Sequence, residues 1–226
     1  MWRKSLMDGD QFSNEERNGL YKAIRSRRDI RRFRPDPIPD DLLQRILVAG
    51  HQAPSVGFMQ PWNFILISSQ ETRQRVKKNF EEKNQEQSAK VESVERAGLY
   101  RSLKLEGIME SPLNLAITCD HRRDAPFVLG RGPMPQTDEY SVCLAIQNMW
   151  LAARVEGIGL GWVSILDYDH VSQILGLPEG VKLIAYLCVG YPLEFTEKPM
   201  LETVGWKQRE PIENVIYHEK WGSTSL

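Results

Sequence analysis

A chain of 226 residues with 41% hydrophobic and 26% charged content can bury a substantial core, and nothing in it marks a disordered, fibrous or membrane-spanning protein. Its 29 basic and 30 acidic side chains leave a formal charge of −1, which disfavours a generic nucleic-acid binder and makes any basic cluster a local feature. The opening MWRKSLMDGD carries no apolar leader and no later run reaches the ~18 apolar residues of a membrane span, so a cytoplasmic protein without membrane partners is expected.

Ser13-Asn14-Glu15-Glu16 has the form of a capping box, and Leu20 and Ile24 follow four apart, predicting a helix from about Asn14 into an arginine cluster. Pro35, Pro37 and Pro39 force an extended connection before a second helix that opens at Asp40-Asp41 and ends near Gly50. After a loop over 51–61, Trp62 to Ser68 reads as a strand. From Glu71 to Arg96 the composition is polar and helical with few apolar anchors. Leu113 to Cys119 reads as a second strand, followed by a Pro/Gly-rich loop to Gln136. A long helix then carries a wide apolar face through Val142, Ile146, Met149 and Ala153, and glycine ends it at Gly157. Leu160 to Leu166 and Val181 to Val189 are strands with a short helix, Asp169 to Leu175, between them. The remainder, 193–226, lacks periodicity and is expected to wrap a surface, that of a partner subunit among the possibilities. One α+β domain over 1–226 is expected.

Three constellations bear on chemistry. Arg27, Arg28 and Arg31 at a helix end suit an anion, since guanidinium forks bind phosphate through charge-assisted hydrogen bonds; a solvated basic patch is the alternative. Ala53 to Trp62 is a loop of small residues, proline and aromatics where a planar ligand can approach the backbone, or a packed turn. In Gly157-Ile158-Gly159-Leu160-Gly161-Trp162-Val163-Ser164 the glycines again permit close approach, and Ser164 offers a hydroxyl, without the spacing of a dinucleotide fingerprint. The four histidines show no ligand spacing, so no metal is expected. Cys119, Cys143 and Cys188 each lie in apolar segments and read as buried reduced thiols.

The order Arg-Arg-x-Ile-Arg, Ala-Pro-Ser with Gln-Pro-Trp, Gly-Leu-Gly before a strand, and an apolar strand ending Gly-Tyr-Pro resembles the FMN-dependent nitroreductase superfamily from about Leu20 to the end. Arg-Arg-Asp-Ile-Arg-Arg-Phe, Trp162 to Leu166 and Ile216 to Trp221 are most similar to its flavin-fragmenting branch. The resemblance implies a mainly antiparallel sheet flanked by helices, a helical lid insertion over about 71–110, an extended C-terminal tail, and a domain-swapped type of homodimer with FMN bound between the subunits. By the same resemblance Arg27, Arg28, Ile30 and Arg31 hold the phosphate and ribityl chain, Ser55 and Gln60 sit in the flavin loop, Leu105 closes over the ring, and Arg209 is a further phosphate contact.

Two departures from ordinary nitroreductases stand out: Asp29 where serine is usual, and Phe58 where asparagine is frequent. A carboxylate beside a phosphate is repelled by it, so Asp29 either pairs with neighbouring arginines or moves protons. The flavin-fragmenting branch implies the second: reduced FMN is substrate, molecular oxygen cleaves it to 5,6-dimethylbenzimidazole and erythrose 4-phosphate, Asp29 is acid/base and Ser164 an active-site hydroxyl. A separate flavin reductase is then expected to supply the reduced FMN. The alternatives are an NAD(P)H-dependent nitroreductase or flavin reductase that retains its FMN, and a non-enzymatic phosphate or nucleic-acid binding module.

Overall fold

A computed structural model describes residues 11–223; the opening MWRKSLMDGD, to which the leader reading applies, and the last three residues lie outside them. The capping box is present: Ser13 and Glu16 exchange side-chain and backbone bonds at the start of α1 (Asn14–Ser26). The three prolines separate it from α2 (Asp40–His51). Four strands follow, β1 (Trp62–Ile67), β2 (Leu113–Asp120), β3 (Gly159–Val163) and β4 (Val181–Gly190), all antiparallel in the order β1-β2-β4-β3. Between β1 and β2 lie α3 (Gln70–Ala89) and α4 (Val94–Ser102). The long helix α5 (Thr137–Val155) precedes β3, and α6 (Tyr168–Ile174) joins β3 to β4. The tail holds a short helix, α7 (Met200–Thr203), and a 3-10 turn, Ile212–Val215.

Alternation along the strands divides the core between two faces. Leu115, Ile117, Leu187 and Val189 meet α5 and α2 through Val142, Ile146, Met149 and Ile46; Ala116, Tyr186 and Cys188 meet Val76, Phe80 and Val171 on the other side. A register shift between Ile117 and Thr118 interrupts the alternation, which is why Leu183 and Ala185 serve opposite faces.

Two expectations are corrected here. The polar insertion is well anchored at its base: α3 buries Val76 and Phe80, and Arg73, only 6% exposed, donates to the carbonyls of Ile108, Met109 and Ser111. Cys119 and Cys188 are buried thiols, but Cys143 is exposed, in a cleft beside the start of β4. No helix among the described residues is long and apolar enough to cross a membrane.

Candidate active site

Beyond α1 the arginine stretch runs extended along β3. The Ile30 N–H donates to the Leu160 carbonyl at 2.9 Å, and Asp29 and Leu160 form a parallel bridge. Only glycine admits this approach, because a Cβ at Gly161 would stand 1.9 Å from the Ile30 carbonyl oxygen. The glycine run that reads as room for a ligand is therefore filled by the chain's own backbone.

This pairing fixes Asp29 against β3. The Trp162 N–H donates to its Oδ1 at 2.9 Å, and the Arg31 Nη2 donates both to its Oδ2 and, at 2.8 Å, to the Trp162 carbonyl. The Asp29 side chain is 43% accessible, yet that access is through a cavity and protein crowds it otherwise. Desolvation therefore pushes its pKa upward, opposed by Arg31, the Trp162 N–H and Arg27, and burial wins.

The cavity has a volume of about 340 Å³, the scale of a small-molecule site, and is lined by Arg28, Asp29, Ile30, Arg31, Arg32, Lys104 and Leu105 together with the tail residues Glu194, Thr196 and Met200. A larger cleft of about 720 Å³, lined by Cys143, Trp162, Tyr168 and Lys182, contains none of the arginines.

Much of the guanidinium in the stretch is committed internally. Arg27 lies over the Trp150 ring at 4.8 Å. Arg28 Nη1 donates to the carbonyls of Arg25 and Arg27, and its Nη2 to that of Glu197, so Arg28 ties the tail to the cavity. Desolvation, then Arg27, Arg154 and Arg209, depress the Arg28 pKa, which places Arg209 within electrostatic reach of it. Two buried nitrogens, Arg28 Nε and Arg31 Nη1, have no partner among the described residues. An unmet buried donor costs about 1–3 kcal/mol, so the two guanidinium groups beside the cavity carry donor capacity that the described residues leave unused.

The structure thus brings Arg28, Asp29, Ile30, Arg31 and Leu105 to one cavity. It does not bring the other expected residues there within one chain. Ser55 and Gln60 bond each other, Ser55 Oγ accepting from the Gln60 N–H at 3.0 Å, in a loop pinned by Arg123 to the Gln60 carbonyl. Gly57, Phe58 and Gln60 in that loop all have positive φ, and Phe58 is 77% exposed. Ser164 lines a separate cleft with Lys83, Tyr100 and Trp206. Sequence reasoning assigned no role to Arg32, Lys104 or the tail residues; the neighbours Arg31 and Leu105 were the available signal for the first two.

A further grouping arises across the sheet edge, where ligand atoms of Cys119, His121 and Asp138 lie within 4.8 Å of one another. Asp138 is buried and lies 2.6 Å from His121 Nδ1 while Arg131 Nη2 stands at 3.1 Å, so its carboxylate is already engaged by an imidazole and a guanidinium of the chain. Burial pushes the Cys119 thiol up to about 12.

The Nitroreductase family model matches residues 24–191. The chain belongs to the nitroreductase family. Among its nitroreductase-family relatives, a 5,6-dimethylbenzimidazole synthase of Rhodospirillum rubrum is 42% identical over 206 residues, covering 91% of this chain and 97% of that protein. A second, from Rhodobacter capsulatus, is 40% identical over 205 residues, 89% of this chain and 97% of that one. With such relatives along nine-tenths of its length, this nitroreductase-family chain is an enzyme. The fold matches an iodotyrosine deiodinase bound to FMN and 3-iodo-L-tyrosine (TM-score 0.69, 22% identity, 89% of this chain and 98% of that one). It also matches a BluB-like flavoprotein from Clostridium difficile 630 (TM-score 0.67, 20% identity, 89% and 99%).

Proposed function

We propose that this enzyme fragments reduced FMN with molecular oxygen, releasing 5,6-dimethylbenzimidazole, erythrose 4-phosphate and the four-carbon remainder of the flavin's pyrimidine ring. The observation that carries the reading is Asp29: a carboxylate held by Arg31 and the Trp162 N–H at the wall of a cation-lined cavity, in a chain about 40% identical to 5,6-dimethylbenzimidazole synthases. A carboxylate so placed is a base within reach of a bound ligand, which simple flavin reduction does not require.

The residues present fit FMN. The unpartnered Arg28 Nε and Arg31 Nη1 are donors for an anionic or oxygen-rich ligand, and Arg32 and Lys104 add cationic charge on the same wall. Bound reduced FMN supplies the electrons that activate oxygen and the ribityl chain that is cut. Asp29 takes and returns protons at the ribityl carbons. Its raised pKa brings it nearer the working pH than an ordinary carboxylate. Leu105 and the tail residues Thr196 and Met200 border the cavity and limit water access to the reacting atoms. Ser164, just beyond the end of β3, serves in this reading as the active-site hydroxyl.

A homodimer belongs to this reading. Leu20, Tyr21 and Ile24 on α1 and Ile212, Val215 and Ile216 in the tail are exposed in the single chain, an apolar surface that a second copy would cover. The same arrangement would let the Ser55–Gln60 loop, with its outward Phe58, complete the other copy's cavity. Arg209 adds phosphate contact, the 71–110 insertion acts as the lid, and a separate flavin reductase delivers the reduced substrate.

The test is to load the protein anaerobically with chemically reduced FMN, admit oxygen and separate the products by liquid chromatography with mass detection. Dimethylbenzimidazole with matching loss of flavin is expected. Quantitative return of intact oxidised FMN with peroxide would instead make the chain a flavin-retaining nitroreductase.

A further inference from the structure

The nitrogens of Arg31 stand in two different situations. Nη2 closes a ring with the peptide of Trp162 and the Asp29 carboxylate: it donates to Asp29 Oδ2 and to the Trp162 carbonyl, while the Trp162 N–H donates to Asp29 Oδ1. Both carboxylate oxygens are thereby aimed. Nη1 of the same group is buried and unpartnered among the described residues, and Arg31 lines the cavity that Asp29 borders. A guanidinium is a planar, rigid fork. Nη1 is packed against Gly161, so a ligand in the cavity that shifts the guanidinium also sets the angle at which Nη2 grips Asp29.

The geometry points to Arg31 as the positioning residue of the site, orienting the Asp29 carboxylate and coupling that orientation to ligand occupancy. This assigns Arg31 a second duty beyond contacting the ligand, and its catalytic consequence rests on the proton-transfer reading of Asp29. The backbone explains why Arg31 alone can do it. Ile30 is buried against Gly159, and the 29–31 segment is locked to β3 by the Ile30–Leu160 bond, so Asp29 and Arg31 face Trp162 together. Arg27 is drawn off over Trp150, and Arg28 is bonded to the tail. The other charged groups around Asp29 are Lys104 from the lid side, Glu194 from the tail and Arg32 from the same stretch, and no hydrogen bond or ion pair joins any of them to its carboxylate. Lysine at position 31 would keep the charge and lose the fork.

The experiment compares wild type with Arg31→Gln and Arg31→Lys. Infrared difference titration of the Asp29 carboxyl in FMN-free protein, with Asp29→Asn identifying the band, reads the pair directly. Removing an opposite charge at this distance should move the Asp29 midpoint up by about one pH unit or more in Arg31→Gln, and by less in Arg31→Lys. In the FMN-loaded enzyme the acid limb of the rate profile should follow the same order. Arg31→Lys should lower kcat on the order of 10- to 100-fold, since lost alignment is expensive even with charge retained. An unmoved Asp29 midpoint in Arg31→Gln, or in Arg31→Lys a raised KM at unchanged kcat, would reduce Arg31 to a ligand contact and overturn the proposal. Because the infrared titration needs no FMN, it decides the pair whether or not the enzyme proves to make benzimidazole.

Discussion

The arginine stretch at 27–32 and the base of the 71–110 insertion are both dense in charge, and they use it in opposite ways. At the base of the insertion Arg73 is buried and donates to three backbone carbonyls, while Glu106 accepts from Lys77 at 2.8 Å, Lys104 at 3.1 Å and the Ile108 N–H at 2.8 Å. In the arginine stretch, Arg28 Nε and Arg31 Nη1 are left unmet and a carboxylate with a raised pKa borders a cavity. Charge that is satisfied within the chain holds structure together. Charge that is left incomplete marks a place for a ligand.

If that contrast holds, Asp29→Asn should lower product formation by roughly 10²- to 10⁴-fold, the scale of a lost general acid/base, while FMN still binds. The FMN-free variant should lose no stability at neutral pH. A carboxyl whose pKa is raised by folding disfavours the folded state above that pKa, so its removal relieves a cost that vanishes in acid. Calorimetry of the variant against wild type across pH reads this sign.

At the base of the insertion the largest effect should be on stability. Arg73→Met strands the Ser111 carbonyl in the core, while the Ile108 carbonyl keeps the Asn114 Nδ2 donor at 3.2 Å, and should cost about 1–3 kcal/mol, measured by urea unfolding. Gly161→Ala acts on the arginine stretch, because its Cβ must push the Ile30 carbonyl away. A cost of about 1–3 kcal/mol and weakened FMN binding are expected, by unfolding and fluorescence titration. Unchanged binding there would separate the 29–31 pairing from the ligand site. The smallest effect belongs to Glu106→Gln. Desolvation raises the Glu106 pKa, but Lys77, the Ile108 N–H and Lys104 outweigh it and hold the carboxyl below its ordinary 4.5. The stability advantage of wild type over this variant should be full above that value and fade as pH falls through the lowered one.

Sequence pattern exposed the elements because their signals are local: the capping box, the proline triplet, the β-branched strands and the apolar face of α5. It singled out five of the residues that line the cavity, since Arg28, Asp29, Ile30 and Arg31 are consecutive and Leu105 follows from the resemblance. What stayed hidden depends on contacts distant in sequence. The Glu197 carbonyl that takes Arg28 is 169 residues away, and the Trp162 N–H that takes Asp29 is 133 away. A buried arginine such as Arg73 looks in composition like a solvated one, which made the insertion read as weakly anchored. Cys143 misled in the other direction, because an apolar helix segment does not say which of its faces is covered.

The most direct measurement of the central claim is a single turnover with reduced FMN carrying ¹³C at the first ribityl carbon. Erythrose 4-phosphate accounts for four of the five ribityl carbons, so the account predicts that the label appears in the benzimidazole ring and is absent from the sugar phosphate. Label recovered only in intact FMN would contradict fragmentation, and with it the role assigned to Asp29.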